Sequence, residues 1–159
     1  MNFNELFQMQ KALDERIVKE KGLEGQDLLP KKILALQTEL GELANEWRGF
    51  KFWSKRQFPT NEEVHCIDDE GNAYYRNNLL EEYVDCLHFI LSIGNELEVT
   101  CNQDYIQSID ILRGVIGQFD NIFSAIYQEM DRFDWEDLVE YFIGLGSLLG
   151  FTWEQIEQA

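Results

Sequence analysis

Proline is almost missing from this 159-residue chain. Only Pro30 and Pro59 occur, both where the apolar periodicity breaks, so they punctuate helices and leave the long segments between them free to be helical. Cysteine is sparse as well. Cys66, Cys86 and Cys101 are odd in number and show no CxxC spacing, which argues against a disulfide framework or a zinc knuckle and fits a reduced, cytosolic protein. Positive charge is the third shortage: 13 basic against 30 acidic residues leave a formal charge of -17, a field that repels phosphate backbones and speaks against nucleic-acid partners. No run approaches the roughly 18 apolar residues of a membrane span. The start, MNFNELFQMQKALDERI, has no apolar signal-peptide core. The expectation is a soluble, unexported protein that binds neither nucleic acid nor membrane.

What is present is helical periodicity. Leu6, Met9, Leu13 and Ile17 recur at spacings of three and four and predict a first helix over residues 4–21. A second helix starts near Pro30, a residue favoured in a first turn, and runs to about Gly49. A third covers residues 78–97, a fourth 103–130 and a fifth 135–149. A short last helix opens at Thr152, with Glu154 and Gln155 in a loose capping arrangement. Residues 58–77 depart from this rhythm: the β-prone pieces VHCI and AYYR flank DDEGN, which reads as an inserted loop or small hairpin. The predicted fold is a single all-α domain over residues 1–159, a compact bundle of about five to six helices.

The third helix, LLEEYVDCLHF, is nearly continuous apolar sequence, yet it carries Glu81, Glu82 and Asp85. On a helical wheel Glu82, Asp85 and Phe89 share a face about 60° wide. Leu80, Tyr83, Val84, Leu87 and Leu91 lie on another side, and Leu79, Cys86, Ile90 and Ile93 flank the acidic face, which predicts a helix buried nearly all round. On the second helix Glu39, Glu42 and Glu46 form an acidic ridge within about 60°, beside the stripe of Ile33, Leu36, Leu40, Leu43 and Trp47. Buried carboxylates need a partner or a metal. Near the third helix the only basic groups legible in sequence are His88 and Arg76. If the two ridges face each other, four carboxylates converge, an oxygen-rich setting that suits Mg²⁺ or Mn²⁺.

The pair ALQTELGELANEWRGFKFW and LLEEYVDCLHFILSIG strongly resembles the dimeric dUTPases, members of the all-α NTP pyrophosphatase superfamily that includes MazG-like proteins. The likeness runs from LFQMQKALDERI to YFIGLGSLLGFTWEQIEQA and so covers most of the chain, with a phage-type member among the possibilities. It implies hydrolysis of dUTP to dUMP and pyrophosphate, with Glu39, Glu42, Glu82 and Asp85 as ligands of Mg²⁺, or Mn²⁺, and Glu39 or Glu42 orienting or deprotonating the attacking water. It also implies nucleobase and sugar contacts from Gln10, Asp14, Trp53, His88 and Phe89. The basic cluster Lys51, Lys55 and Arg56 suits phosphate contact.

The resemblance further implies a homodimer. The fourth helix, with Ile106, Ile109, Leu112, Ile116, Phe119, Phe123 and Ile126 on one face, offers apolar surface for one. Relatives usually continue past LGFTWEQIEQA into a phosphate-closing helix. With this sequence ending at Ala159, the expectation is an intact metal site with weakened triphosphate binding or turnover. Two rivals follow: a MazG-like hydrolase of another nucleoside triphosphate, and a non-catalytic acidic helical protein that sequesters a repressor. The inserted loop is a candidate surface for a regulatory protein partner. Its adjacent His65 and Cys66 lack metal-ligand spacing.

Overall fold

A computed structural model describes residues 3–59, 63–67, 70–99, 109–127 and 130–159. Among them six helices and one hairpin appear in the order α1 (Phe3–Lys21), α2 (Leu29–Trp47), β1 (Glu63–Ile67), β2 (Ala73–Arg76), α3 (Asn78–Glu96), α4 (Gly114–Ala125), α5 (Arg132–Leu149) and α6 (Trp153–Gln158). The fold is all-α, as expected. The only sheet among the described residues is the two-stranded antiparallel insertion between α2 and α3, with an irregularity between Val64 and Cys66.

Local chemistry accounts for most boundaries. Pro30 sits in the first turn of α2, where its missing N–H costs nothing. The Asn77 side chain accepts from the Leu80 N–H and starts α3. Reciprocal capping boxes open α5 at Asp131 with Asp134, and α6 at Thr152 with Gln155. Arg48 ends α2 in the left-handed region, φ 65°, with its N–H returned to the Ala44 carbonyl, and so turns the chain sharply into the aromatic stretch that follows.

The fourth helix is shorter than its periodicity suggests. Residues 109–113 precede it without helical structure. Gly114 takes φ 59°, and Asp110 caps the turn by accepting from the Arg113 backbone at 2.8 Å. A left-handed residue there interrupts an apolar spacing that would otherwise continue. The expected helical segment 103–108, with Ile106, and Cys101 before it lie outside the described residues.

One core joins all six helices. Leu36, Leu40 and Leu43 of α2 meet Tyr83, Cys86, Ile90 and Ile93 of α3, the most closely packed pair of helices. Trp135 of α5 is fully buried against Phe7, and its indole N–H donates to the Ile90 carbonyl at 2.8 Å. Tyr83 stacks on Phe142 with ring centroids 4.3 Å apart and donates to the Phe142 carbonyl, so its hydroxyl enters the interior with a partner. The fully buried Gln118 accepts from the Asp110 N–H at 2.8 Å and donates to the Tyr141 carbonyl at 2.6 Å, tying the turn before α4 to α5.

Burial all round α3, as its sequence suggests, is not what the structure has. Leu79, Tyr83, Cys86, Leu87, Ile90, Leu91 and Ile93 are buried, while Asp85 and His88 are exposed and Glu82 and Phe89 half-buried. The apolar residues wrap more than half the helix, and what remains open is the strip where carboxylates would be costly to desolvate.

Candidate metal and nucleotide site

Close packing of α2 on α3 brings the two acidic ridges together. Glu39 and Glu42 sit one turn apart on α2, and Glu82 lies opposite on α3. Each offers a carboxylate oxygen, and all three oxygens lie within 4.8 Å of one another. Asp85 stands outside that group but near enough to raise the pKa of Glu39 and Glu82 by its charge. Among the described residues none of the four carboxylates forms an ion pair. Arg76 is paired with Glu81, and its charge also reaches Glu82 and Asp85.

Crowding of like charges raises the proton affinity of the cluster. Partial burial first, then the charges of Glu42, Asp85, Glu39 and Glu46, push Glu82 up to about 7. Glu39 is raised by burial, then by Glu42 and Asp85. Cys86 lies buried behind the cluster, and burial followed by the charges of Glu39, Glu82 and Asp85 keeps its thiol well above the usual range. Its sulfur is not among the ligand atoms that converge there. The donor atoms that converge are carboxylate oxygens, which suit a hard cation such as Mg²⁺ or Mn²⁺.

Beside the carboxylates a cavity of about 590 Å³ opens between α1, α2 and α3. Glu39 and Asp85 line one part of it; Gln10, Asp14, His88, Phe89, Lys32 and Ser92 line the rest with apolar side chains between them. The cavity is of the size that takes a small ligand, with few polar groups on an apolar wall. Gln10 is 6% exposed and sits at the centre of a hydrogen-bonded chain. Its Oε1 faces His88 Nδ1 at 2.6 Å and its Nε2 donates to Asp14 at 2.8 Å. Asp14 also accepts from the Ser92 hydroxyl at 2.6 Å and pairs with Lys32 at 3.3 Å, and Lys32 reaches on to Glu96 at 2.7 Å.

Of the residues singled out in sequence, the structure gathers Glu39, Asp85, Gln10, Asp14, His88 and Phe89 around one cavity, with Glu42 and Glu82 beside Glu39. Trp53 is not among the cavity residues. It is 66% exposed, edge-on to Phe50 and Phe52 at 5.8 and 5.0 Å. Lys55 and Arg56 are exposed on the same turn, and Lys51 donates to the Asn45 carbonyl. Sequence reasoning missed Lys32, Ser92 and Glu96. Their partners lie on other helices, and nothing in local spacing announces them; a lysine in the first turn of a helix, where the dipole disfavours it, was the one available signal.

Fold and site together define a class: an all-helical protein with a cluster of carboxylates that could hold a cation beside a cavity of small-ligand size. The chain matches the family model described as dUTPase over residues 2–159 and belongs to that family, whose assigned activity is dUTP diphosphatase, the hydrolysis of dUTP. Neither a curated protein nor a solved structure matches it.

Proposed function

We propose that the chain hydrolyses dUTP to dUMP and pyrophosphate in a reaction that requires Mg²⁺, with Mn²⁺ able to replace it. The observation that carries this reading is the convergence of Glu39, Glu42 and Glu82 with no ion pair among the described residues, next to a cavity shared by Glu39 and Asp85. These four carboxylates would hold the cation, which when bound offsets triphosphate charge and polarises the α-phosphate toward water. Glu39, with Glu42 one turn away, orients the attacking water and takes up its proton. The base occupies the cavity against Phe89, His88 and Gln10, with Asp14 toward the sugar. Lys51, Lys55 and Arg56, on the turn after α2, contact the phosphates, and the exposed Trp53 is the aromatic which that turn offers to the base.

Pyrophosphate release from dUTP, dTTP and dCTP with and without Mg²⁺ tests the reading. Release from dUTP that stops on chelation and is at least tenfold slower with the other two supports it. Equal release from all three favours a hydrolase of broader substrate range.

The same reading includes a cytoplasmic homodimer of one domain spanning residues 1–159. Ile111, Leu112, Ile116, Phe123 and Phe133 are exposed on and around α4, apolar surface of the kind dimers cover. Sedimentation should give twice the 18.7 kDa chain mass, and Leu112→Glu with Ile116→Glu should give the monomer. A wild-type monomer at micromolar concentration would remove this part. The hairpin exposes Val64 and Ile67 and is the surface on which a regulatory protein would add contacts.

A further inference from the structure

We propose that Asp14, clamped by Lys32 and Ser92, is a positioning residue: it orients the Gln10 amide, which holds the His88 proton on Nδ1 and leaves Nε2 as a hydrogen-bond acceptor that selects uracil over cytosine. The inference rests on the reading of the 590 Å³ cavity as the base site.

Asp14 sits at the closed end of the chain, and its carboxylate has only acceptor oxygens. One oxygen takes the Ser92 hydroxyl and the Lys32 ammonium, at 2.6 and 3.3 Å. The other, 2.8 Å from Gln10, must be met by the amide nitrogen. That choice leaves Gln10 Oε1 facing His88 Nδ1 at 2.6 Å, a distance two acceptors would not adopt, so Nδ1 carries the hydrogen. A neutral imidazole then has an unprotonated Nε2, and among the described residues that nitrogen has no partner. Lys32, its side chain 13% exposed and anchored on Glu96 at 2.7 Å, holds the cation that sets the direction of the whole chain.

The two pyrimidines differ where this matters. Uracil carries a hydrogen on N3, whereas N3 of cytosine is an acceptor. His88 lines the cavity, and an acceptor Nε2 presented to a base there is matched by the first and meets a second lone pair in the other. Thymine has the same N3–H as uracil, so this device does not distinguish dUTP from dTTP.

Asp14→Asn provides the test because the substituted amide cannot satisfy both neighbours in the old order. Lys32 and Ser92 still demand an oxygen, so the new NH₂ faces Gln10. Gln10 then turns its oxygen toward residue 14 and its nitrogen toward His88, and the imidazole proton moves to Nε2. Ser92→Ala keeps Lys32 in place and leaves the order unchanged. The chain has two histidines, so ¹⁵N-imidazole NMR at pH 8, above the ordinary histidine pKa of about 6.5, reads the tautomer directly.

The expected result is Nδ1–H in the wild type and in Ser92→Ala, and Nε2–H in Asp14→Asn. The ratio of kcat/KM for dUTP over dCTP should fall roughly ten- to a hundredfold in Asp14→Asn, with the dUTP over dTTP ratio unmoved. Gln10→Leu, which releases the imidazole, should lose the same discrimination and covers the case in which Asp14→Asn does not fold. A wild-type His88 protonated on Nε2 overturns the proposal, as does a proton that moves without changing the dUTP over dCTP ratio. If dUTP kinetics ignore both variants entirely, the base site lies elsewhere, and the NMR result still reports on the relay alone.

Discussion

Glu82→Gln is expected to reduce dUTP hydrolysis by at least a thousandfold and, at the same time, to make the cation-free protein more stable at pH 8. The loss follows from removing the one carboxylate of the close cluster that α3 contributes to face Glu39 and Glu42. The gain follows from the sign of the pKa shift. Glu82 is raised from an ordinary 4.5 to about 7 in the folded chain, so the folded state binds this proton more tightly than the unfolded state does. Folding stability therefore falls as pH rises from about 4.5 to 7, and the full destabilisation persists above that. Glutamine removes it.

Because Glu82 is half open to solvent, screening reduces the effect to about 1 kcal/mol, a shift of a few degrees in Tm. Near pH 4 the carboxyl is neutral in both states, and wild type and variant should melt together. With saturating Mg²⁺ the order at pH 8 should invert, since the wild type gains more binding energy than the variant. Thermal melts at pH 4, 6 and 8, with and without Mg²⁺, read all of this. A Glu82→Gln protein less stable than the cation-free wild type at pH 8 would contradict the account of a cluster of crowded like charges. Mg²⁺ affinity of the wild type should likewise weaken as pH drops below about 7, where a proton competes for Glu82.

The largest stability effect is expected at Trp135. The indole is fully buried, packs on Phe7 with centroids 5.5 Å apart and donates to the Ile90 carbonyl of α3. Trp135→Ala removes an aromatic from the junction of α1, α3 and α5, together with the second hydrogen bond that the Ile90 carbonyl accepts inside α3. The combination should cost about 3–5 kcal/mol in urea unfolding. Trp135→Phe keeps most of the volume and should recover more than half. If both variants lose equally, the hydrogen bond to Ile90 and not the packing dominates. Gly94 of α3 shows how tight the junction is: a Cβ there would meet the Trp135 ring at 2.7 Å.

Helix positions and the carboxylate pairing were legible because both depend on short-range periodicity. Ile33, Leu36, Leu40 and Leu43 mark one face of α2 and are buried as their spacing suggests. Glu39 and Glu42 beside that face, and Glu82 on α3, meet once the two apolar faces pack. The Asp14–Lys32–Glu96 chain was not legible. Its members are 18 and 64 residues apart, and any of them alone reads as a solvated charge. The start of α4 was misjudged for a different reason: apolar spacing continues through 109–113, but Gly114 at positive φ and the Asp110 cap redirect the backbone, and periodicity does not register φ. The near-complete burial expected of α3 failed at Asp85 and His88, because a residue count of apolar positions does not reveal that neighbouring helices leave a cavity along one strip.

The most direct test of the central claim is a Mg²⁺ titration by calorimetry at pH 8, comparing the wild type with Glu39→Gln, Glu42→Gln and Glu82→Gln. Saturable binding in the wild type, weakened at least tenfold in each variant, is the predicted result. Wild-type affinity unchanged in all three would show that the facing carboxylates of α2 and α3 do not hold the cation.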